Sequence, residues 1–145
     1  FVQKNASTVI AKEGAGKNVT IVGHFPFVEQ IKSIPRHCWV IEKRPFGDDF
    51  PEEAAEDYIP QSDIVAITGT AFINHSIEKL FSLCKKDATV MLLGPSTPML
   101  PKLLDLGISF LSGARVDDPV SAINTIIQGA SLPQVNGIRL VTMVK

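Results

Sequence analysis

The residues of this chain best suited to chemistry follow short apolar runs. Five such segments are Gly23-His24-Phe25-Pro26, Glu42-Lys43-Arg44-Pro45, Gly69-Thr70-Ala71-Phe72-Ile73-Asn74, Gly94-Pro95-Ser96-Thr97-Pro98 and Ser112-Gly113-Ala114-Arg115. Gly94 to Pro98 is the most informative. Thr97 followed by Pro98 suits the cap and first position of a helix, which would leave backbone donors and the positive end of the helix dipole facing the loop. An anion or the polar edge of a ligand could dock there; in the plainer alternative, Ser96 and Thr97 only cap their own helix. At Asp117-Asp118-Pro119 a carboxylate cap already neutralises the dipole, so that helix start reads as structural. Glu42 stands nineteen residues after Gly23, where nucleotide-binding domains keep an acid for ribose hydroxyls. Its alternative is an ion pair with Lys43 or Arg44 at the rim. The first loop lacks the G-x-G-x-x-G spacing that lets a pyrophosphate lie against backbone, which argues against ordinary dinucleotide binding.

Metal ligands are present by type but not by spacing. His24, Glu42 and His75 are the candidates, and nothing joins the histidines and cysteines in an H-x-x-x-H, C-x-x-C or H-E-x-x-H pattern. Cys84 shares an apolar stripe with Ile77, Leu80 and Phe81, and Cys38 lies inside an apolar run, so both read as reduced core thiols that neither pair nor jointly bind metal. The acidic run Asp48, Asp49, Glu52, Glu53, Glu56 and Asp57 lacks the spaced oxygen ligands of a calcium loop and reads as solvated surface. No Ser-His-Asp order or nucleophile elbow stands out.

The elements that must position these loops follow from hydrophobic periodicity. Strands are expected at Val19 to Gly23, Cys38 to Glu42, Ile64 to Gly69, Thr89 to Gly94, Ile108 to Ser112 and Ile138 to Val144. Between them, helical stripes run through Ile77, Leu80, Phe81 and Cys84, through Leu100, Leu103 and Leu104, and through Val120, Ile123 and Ile127. An opening helix carries Val2, Ala6, Val9 and Ile10 on one side and ends at Gly14-Ala15-Gly16. In the Pro-rich connection from Lys43 to Gln61, a helical turn near Glu52 to Asp57 is expected. Strands apolar on both faces, alternating with one-sided helices, imply an α/β fold: a Rossmann-like, doubly wound, mostly parallel sheet of about six strands with helices on both faces. In such a sheet ligands bind outside the carboxyl ends of the strands, which is where all five segments fall.

A length of 145 residues suits one domain with its own core. Fourteen basic side chains against fifteen acidic ones give no field for nucleic acid or an anionic membrane. No apolar run approaches the roughly twenty residues of a membrane span and no secretory signal opens the chain, so a cytoplasmic setting is expected. The chain starts at Phe1, inside an apparent helix, so sequence upstream is expected to be missing.

Taken together, Gly23-x-Phe25-Pro26, Glu42 with Pro45 and Gly47, Asp63 leading to Thr68-Gly69-Thr70-Ala71 and Asn74, Gly94-Pro95-Ser96-Thr97-Pro98, and Gly107 through Gly113 resemble the Rossmann-like domain of the heavy-metal chelation family of prokaryotic proteins. The likeness runs from about Asn18 to Asp118. It implies a smaller amino-terminal, enolase-like partner domain that this chain lacks, a site between the two domains, and a role in heavy-metal or corrinoid-type cofactor handling. The expected site comprises Gly23, Phe25, Glu42, Gly69, Thr70, Asn74, Gly94, Pro95, Ser96, Thr97 and Gly113. Its ligand would be a small molecule or metal chelate, with a divalent heavy metal as the implied cofactor, and a homo-oligomer is compatible. Two rivals stay open: a transferase domain binding a methyl-donor nucleoside, and a scaffold domain docking its partner domain. Whether the chain is an enzyme is left undecided by these residues.

Overall fold

The computed structural model describes residues 1–2 and 6–145. Along the chain run α1 (Ala6–Glu13), β1 (Asn18–Val22), α2 (Val28–Ile31), β2 (His37–Ile41), α3 (Ala55–Tyr58), β3 (Ile64–Thr68), α4 (Thr70–Ile73), α5 (Ile77–Ser82), β4 (Thr89–Leu93), α6 (Pro101–Asp105), β5 (Phe110–Val116), α7 (Pro119–Ile127) and β6 (Ile138–Val144). The strands form one six-stranded sheet in the order β2-β1-β3-β4-β5-β6. All neighbours are parallel except β5 and β6. The expected α/β architecture is therefore present, with the 2-1-3-4-5 order of flavodoxin-like doubly wound sheets.

Alternation along the strands explains the two layers. Ile64, Ala66, Met91 and Leu93 point to the face covered by α1 and α2, where they pack with Ile10, Val28 and Ile31. Val65, Ile67, Val90 and Leu92 point to the opposite face, with Ala55, Ala71, Leu80 and Leu104 from α3 to α6. Successive strand side chains leave on opposite sides, so a strand buried on both faces must be apolar at every position. Ile64 to Ile67 and Val90 to Leu93 are accordingly almost fully buried.

Register brings the carboxyl ends to one edge. Val22 lies opposite Ile41 and Ile67, Thr68 opposite Leu93, and Leu93 opposite Ser112. Beyond Ser112, β5 continues to Val116 by pairing with β6 alone, as Gly113 with Val141 and Arg115 with Arg139. Gly113 is thus a strand residue and not, as the sequence suggested, part of a loop. An apolar-run criterion stops at Ser112, whereas the antiparallel ladder carries the strand on through a glycine, an arginine and a half-exposed valine.

Three further expectations are corrected. The helix after β4 begins at Pro101, not near Pro98, and Leu100 before it is extended (φ −104°, ψ 116°). Proline disfavours helical geometry in the residue before it, so Pro101 forbids a helix running through Leu100 and itself takes the first position. The stripe of Val120, Ile123 and Ile127 does not face the sheet: these side chains are 57–76% exposed, and Ala122 is the buried residue of α7. Val2 is not helical but bridges β6, its N–H donating to the Thr142 carbonyl at 2.8 Å; part of the expected opening helix, residues 3–5, lies outside the described residues. Asp118 does cap α7, accepting from the Val120 and Ser121 N–H groups at 3.1 Å. A helical turn also occurs where expected, over 52–58.

The connection after β2 folds back onto it. Phe50 bridges Ile41, its N–H donating to Val40 O at 2.7 Å and its carbonyl accepting from Glu42 N at 2.9 Å. The Phe50 ring meets Tyr58 edge-on at 4.7 Å, and Tyr58 stacks on Trp39 of β2 at 4.7 Å. This aromatic clamp fixes Asp49, the residue before Phe50, beside the end of β1.

Candidate functional site

A cleft of about 170 Å³ opens at the carboxyl ends of β1, β2 and β3. β1 and β3 are the neighbours between which the strand order reverses, the place where a doubly wound sheet splays its loops and opens a crevice. Its inner wall is apolar, from Val22, Ile41, Phe25 and Leu80; its polar wall comes from His24, Glu42, Lys43, Thr68, Thr70 and Asn74. Phe25 is held in place by stacking on Phe27 with centroids 5.3 Å apart.

The polar groups are mostly committed to one another. Glu42 accepts from the His24 N–H at 3.0 Å through Oε2 and from its neighbour Lys43 N–H at 2.7 Å through Oε1. Its carboxylate therefore ties the end of β2 to the end of β1 and forms no ion pair with Lys43. The Lys43 ammonium instead lies 3.8 Å from Glu52. The Thr68 and Thr70 hydroxyls share a hydrogen bond at 3.0 Å. Asn74 Oδ1 accepts from the Ser76 N–H at 3.1 Å and hydroxyl at 2.6 Å, which leaves the Asn74 amide nitrogen as a donor.

The remaining conspicuous group is an imidazole. His24 Nδ1 lies 3.0 and 2.9 Å from the two oxygens of Asp49, whose side chain is only 2% exposed, while that of His24 is 34% exposed. Asp49 also accepts from the Phe46 N–H at 3.3 Å. Sequence reasoning placed Asp49 in a solvated acidic run and missed it. The available signal was Phe50, an aromatic residue interrupting the acidic stretch, which packs on Tyr58 and carries its neighbour inward.

The expected site residues divide into two groups. Gly23, His24, Phe25, Glu42, Thr70 and Asn74 line the cleft. Gly69, Gly94, Pro95, Ser96, Thr97 and Gly113 do not line it; among them Thr97 is buried, whereas Pro95 and Ser96 are exposed. A methyl group on Gly69 would sit 2.4 Å from Thr97 N and 2.6 Å from Ser96 C, and one on Gly113 would sit 2.6 Å from Met99 Sδ. These two glycines make room for the loop from Gly94 to Met99, Gly69 against its backbone and Gly113 chiefly against the Met99 side chain, and this close approach explains them without a ligand. Thr97 is 5% exposed; its N–H bonds Gly94 O at 3.0 Å in a turn, and its hydroxyl is buried without a partner among the described residues. Gly94 touches the cleft only through Phe25, whose ring would lie 3.6 Å from an added methyl group. With the helix starting at Pro101, the helix end anticipated at Pro98 is not there.

His75 is turned away in a left-handed turn (φ 60°) between α4 and α5 and does not line the cleft. Burial pushes both thiols, Cys38 and Cys84, up to about 11, so they are protonated at neutral pH and poor metal ligands. Both are free. Among the described residues no three His, Cys, Asp or Glu side chains converge to hold a metal ion. The described residues therefore form no cage for a bare cation. Among the described residues no helix is long and apolar enough to cross a membrane.

Comparison with known proteins agrees with this architecture. A crystal structure of a DUF364-family protein of unknown function from Desulfitobacterium hafniense superposes with a TM-score of 0.84 at 29% identity, covering 98% of this chain and 58% of that one. A second, from Pyrococcus horikoshii, gives a TM-score of 0.87 at 17% identity, covering 99% of this chain and 60% of the other, and speaks for the fold alone. An uncharacterized protein of Methanocaldococcus jannaschii is 25% identical over 126 residues, which are 83% of this chain and 49% of the relative. The chain thus spans about half the length of that curated relative and under two thirds of the solved ones. The model of the DUF364 family, described as "Putative heavy-metal chelation", matches residues 5–145, and with a match over nearly its whole length the chain belongs to that family.

Proposed function

We propose that this domain binds a small metal chelate, a metal ion arriving with most of its ligands already in place, in the cleft between the ends of β1 and β3. The observation that carries this reading is the pairing of a cleft with a deficit: a polar-walled cavity sits at the switch point, yet the described side chains muster no metal cage. A metal already held by an organic ligand needs little more than a shaped cavity, a few hydrogen-bond donors and one open coordination position. The cavity supplies the apolar wall of Val22, Ile41 and Leu80 for the ligand's carbon skeleton, and donors from Asn74 and Lys43 for its carboxylates. The family's description as metal-chelating supports the metal. At about 170 Å³ the cavity is below the roughly 300–1,000 Å³ of sites for drug-sized ligands, so a whole tetrapyrrole would not be enclosed. Since relatives are longer, we assign the remaining wall to the smaller second domain that the resemblance implies.

Isothermal titration with three probes tests the reading: zinc ion alone, zinc iminodiacetate, and a methyl-donor nucleoside. Saturable one-to-one binding of zinc iminodiacetate, tighter than zinc alone and without heat from the nucleoside, is expected. Bare zinc binding as tightly as its chelate, or no chelate binding, would overturn it.

A further inference from the structure

Resting on the chelate reading, we infer that His24 supplies the one protein bond to the chelated metal, through Nε2, and that Asp49 is the residue that positions it. The Asp49 side chain is 2% exposed, and a carboxylate taken out of water must be paired and hydrogen-bonded to persist. Both its oxygens lie within 3.0 Å of one nitrogen, His24 Nδ1. An ionised carboxylate can only accept, so a proton sits on Nδ1, and in the neutral imidazole this leaves the lone pair on Nε2. The aromatic clamp of Phe50, Tyr58 and Trp39 fixes Asp49 from outside the cleft, and the Glu42 carboxylate fixes the His24 backbone from within it. A carboxylate on the far nitrogen is the usual way of orienting a metal-bound imidazole and raising its basicity.

The chain's other metal-binding side chains are poorly placed for this. His37 opens β2, at the end of the strand opposite the cleft, and stacks on Trp39 with centroids 5.3 Å apart. His75 does not line the cleft, and both thiols are protonated. His24 alone joins a fixed tautomer to a position on the cleft wall.

The test uses copper(II) iminodiacetate with the full chain, read by titration and by electron spin-echo modulation from the remote nitrogen of a copper-bound imidazole. Wild type, H37Q and H75Q are expected to show the imidazole signature, and H24Q to lose it. In D49N, which keeps His24, affinity is expected to fall about 10- to 100-fold, with thermal unfolding recorded alongside to separate positioning from folding. Should D49N not fold, nitrogen-15 shifts of wild-type His24 decide the tautomer: a lone pair on Nε2 supports the inference, and a proton there overturns it. Chelate binding that is equally tight in H24Q sinks this inference and leaves the chelate reading intact. Absence of binding to wild type sinks both.

Discussion

Gly69 offers the sharpest separation between packing and ligand contact. Its backbone is ordinary (φ −58°, ψ −22°), so alanine can adopt it without strain. The side chain, however, would drive a methyl group to 2.4 Å from Thr97 N, 2.6 Å from Ser96 C and 2.8 Å from Thr97 Cα. All three are backbone atoms, which cannot swing away as the end of a side chain can. Overpacking of this kind costs about 1–3 kcal/mol, and the rigid neighbour puts Gly69→Ala near ~3 kcal/mol. The reduced entropy of the unfolded chain returns roughly 0.4–1 kcal/mol, leaving a net loss of roughly 2–3 kcal/mol. At about 3 °C per kcal/mol for a chain of this size, the melting temperature should fall by about 6–9 °C. Gly113→Ala is the control, because its closest obstacle is Met99 Sδ at 2.6 Å, the end of a flexible side chain. A loss of about 1 kcal/mol is expected there. Urea titrations at constant m-value and thermal scans read both variants, with chelate affinity measured per folded molecule. If Gly69→Ala melts within a degree of wild type, or loses affinity without losing stability, the packing account is wrong and Gly69 faces a ligand.

Three other outcomes follow from the same structure. With both thiols pushed up to about 11 by burial, native protein at neutral pH should react slowly with a thiol reagent, whereas unfolded, unreduced protein should give two free groups; fast native labelling or fewer than two groups would contradict this. The Lys85 ammonium at 2.6 Å and the Asn18 N–H at 2.9 Å hold the Asp63 carboxyl below the usual range. Its stabilising effect is complete above the ordinary carboxylate pKa and fades as pH falls through the lower folded value, so urea midpoints of wild type should drop on acidification more steeply than those of D63N. Finally, Ile127 is 76% exposed, so Ile127→Lys should change stability by no more than about 0.5 kcal/mol. A loss of several kcal/mol would place that side chain in a core instead.

The sheet was legible because its signal is local. Ile64 to Ile67 and Val90 to Leu93 are apolar at consecutive positions, and burial on both faces of a parallel sheet is the arrangement that requires this. The stripe of Val120, Ile123 and Ile127 carries an equally clear helical period but faces outward, since periodicity specifies that a helix has an apolar side and not what that side meets. The loop after β4 misled for a different reason: two prolines, Pro98 and Pro101, both suit a helix start, and the restriction that Pro101 places on Leu100 decides between them. Five expected ligand residues, Gly23, Phe25, Glu42, Thr70 and Asn74, lie along the cleft with His24 because strand ends in a parallel sheet converge. The His24–Asp49 pair was hidden because it spans twenty-five residues and depends on Phe50 folding the connection back onto β2. No spacing rule encodes a long-range contact of that kind.

The central claim is that ligand enters between β1 and β3 and not at the loop from Gly94 to Pro98. A nitrogen-15 amide titration of the full chain with zinc iminodiacetate tests it most directly. The expected result is saturable shifts centred on the cleft residues His24, Glu42, Lys43, Thr70 and Asn74, with α7 unmoved. Shifts centred instead on Ser96, Thr97 and Gly113, with His24 and Thr70 unchanged, would contradict it.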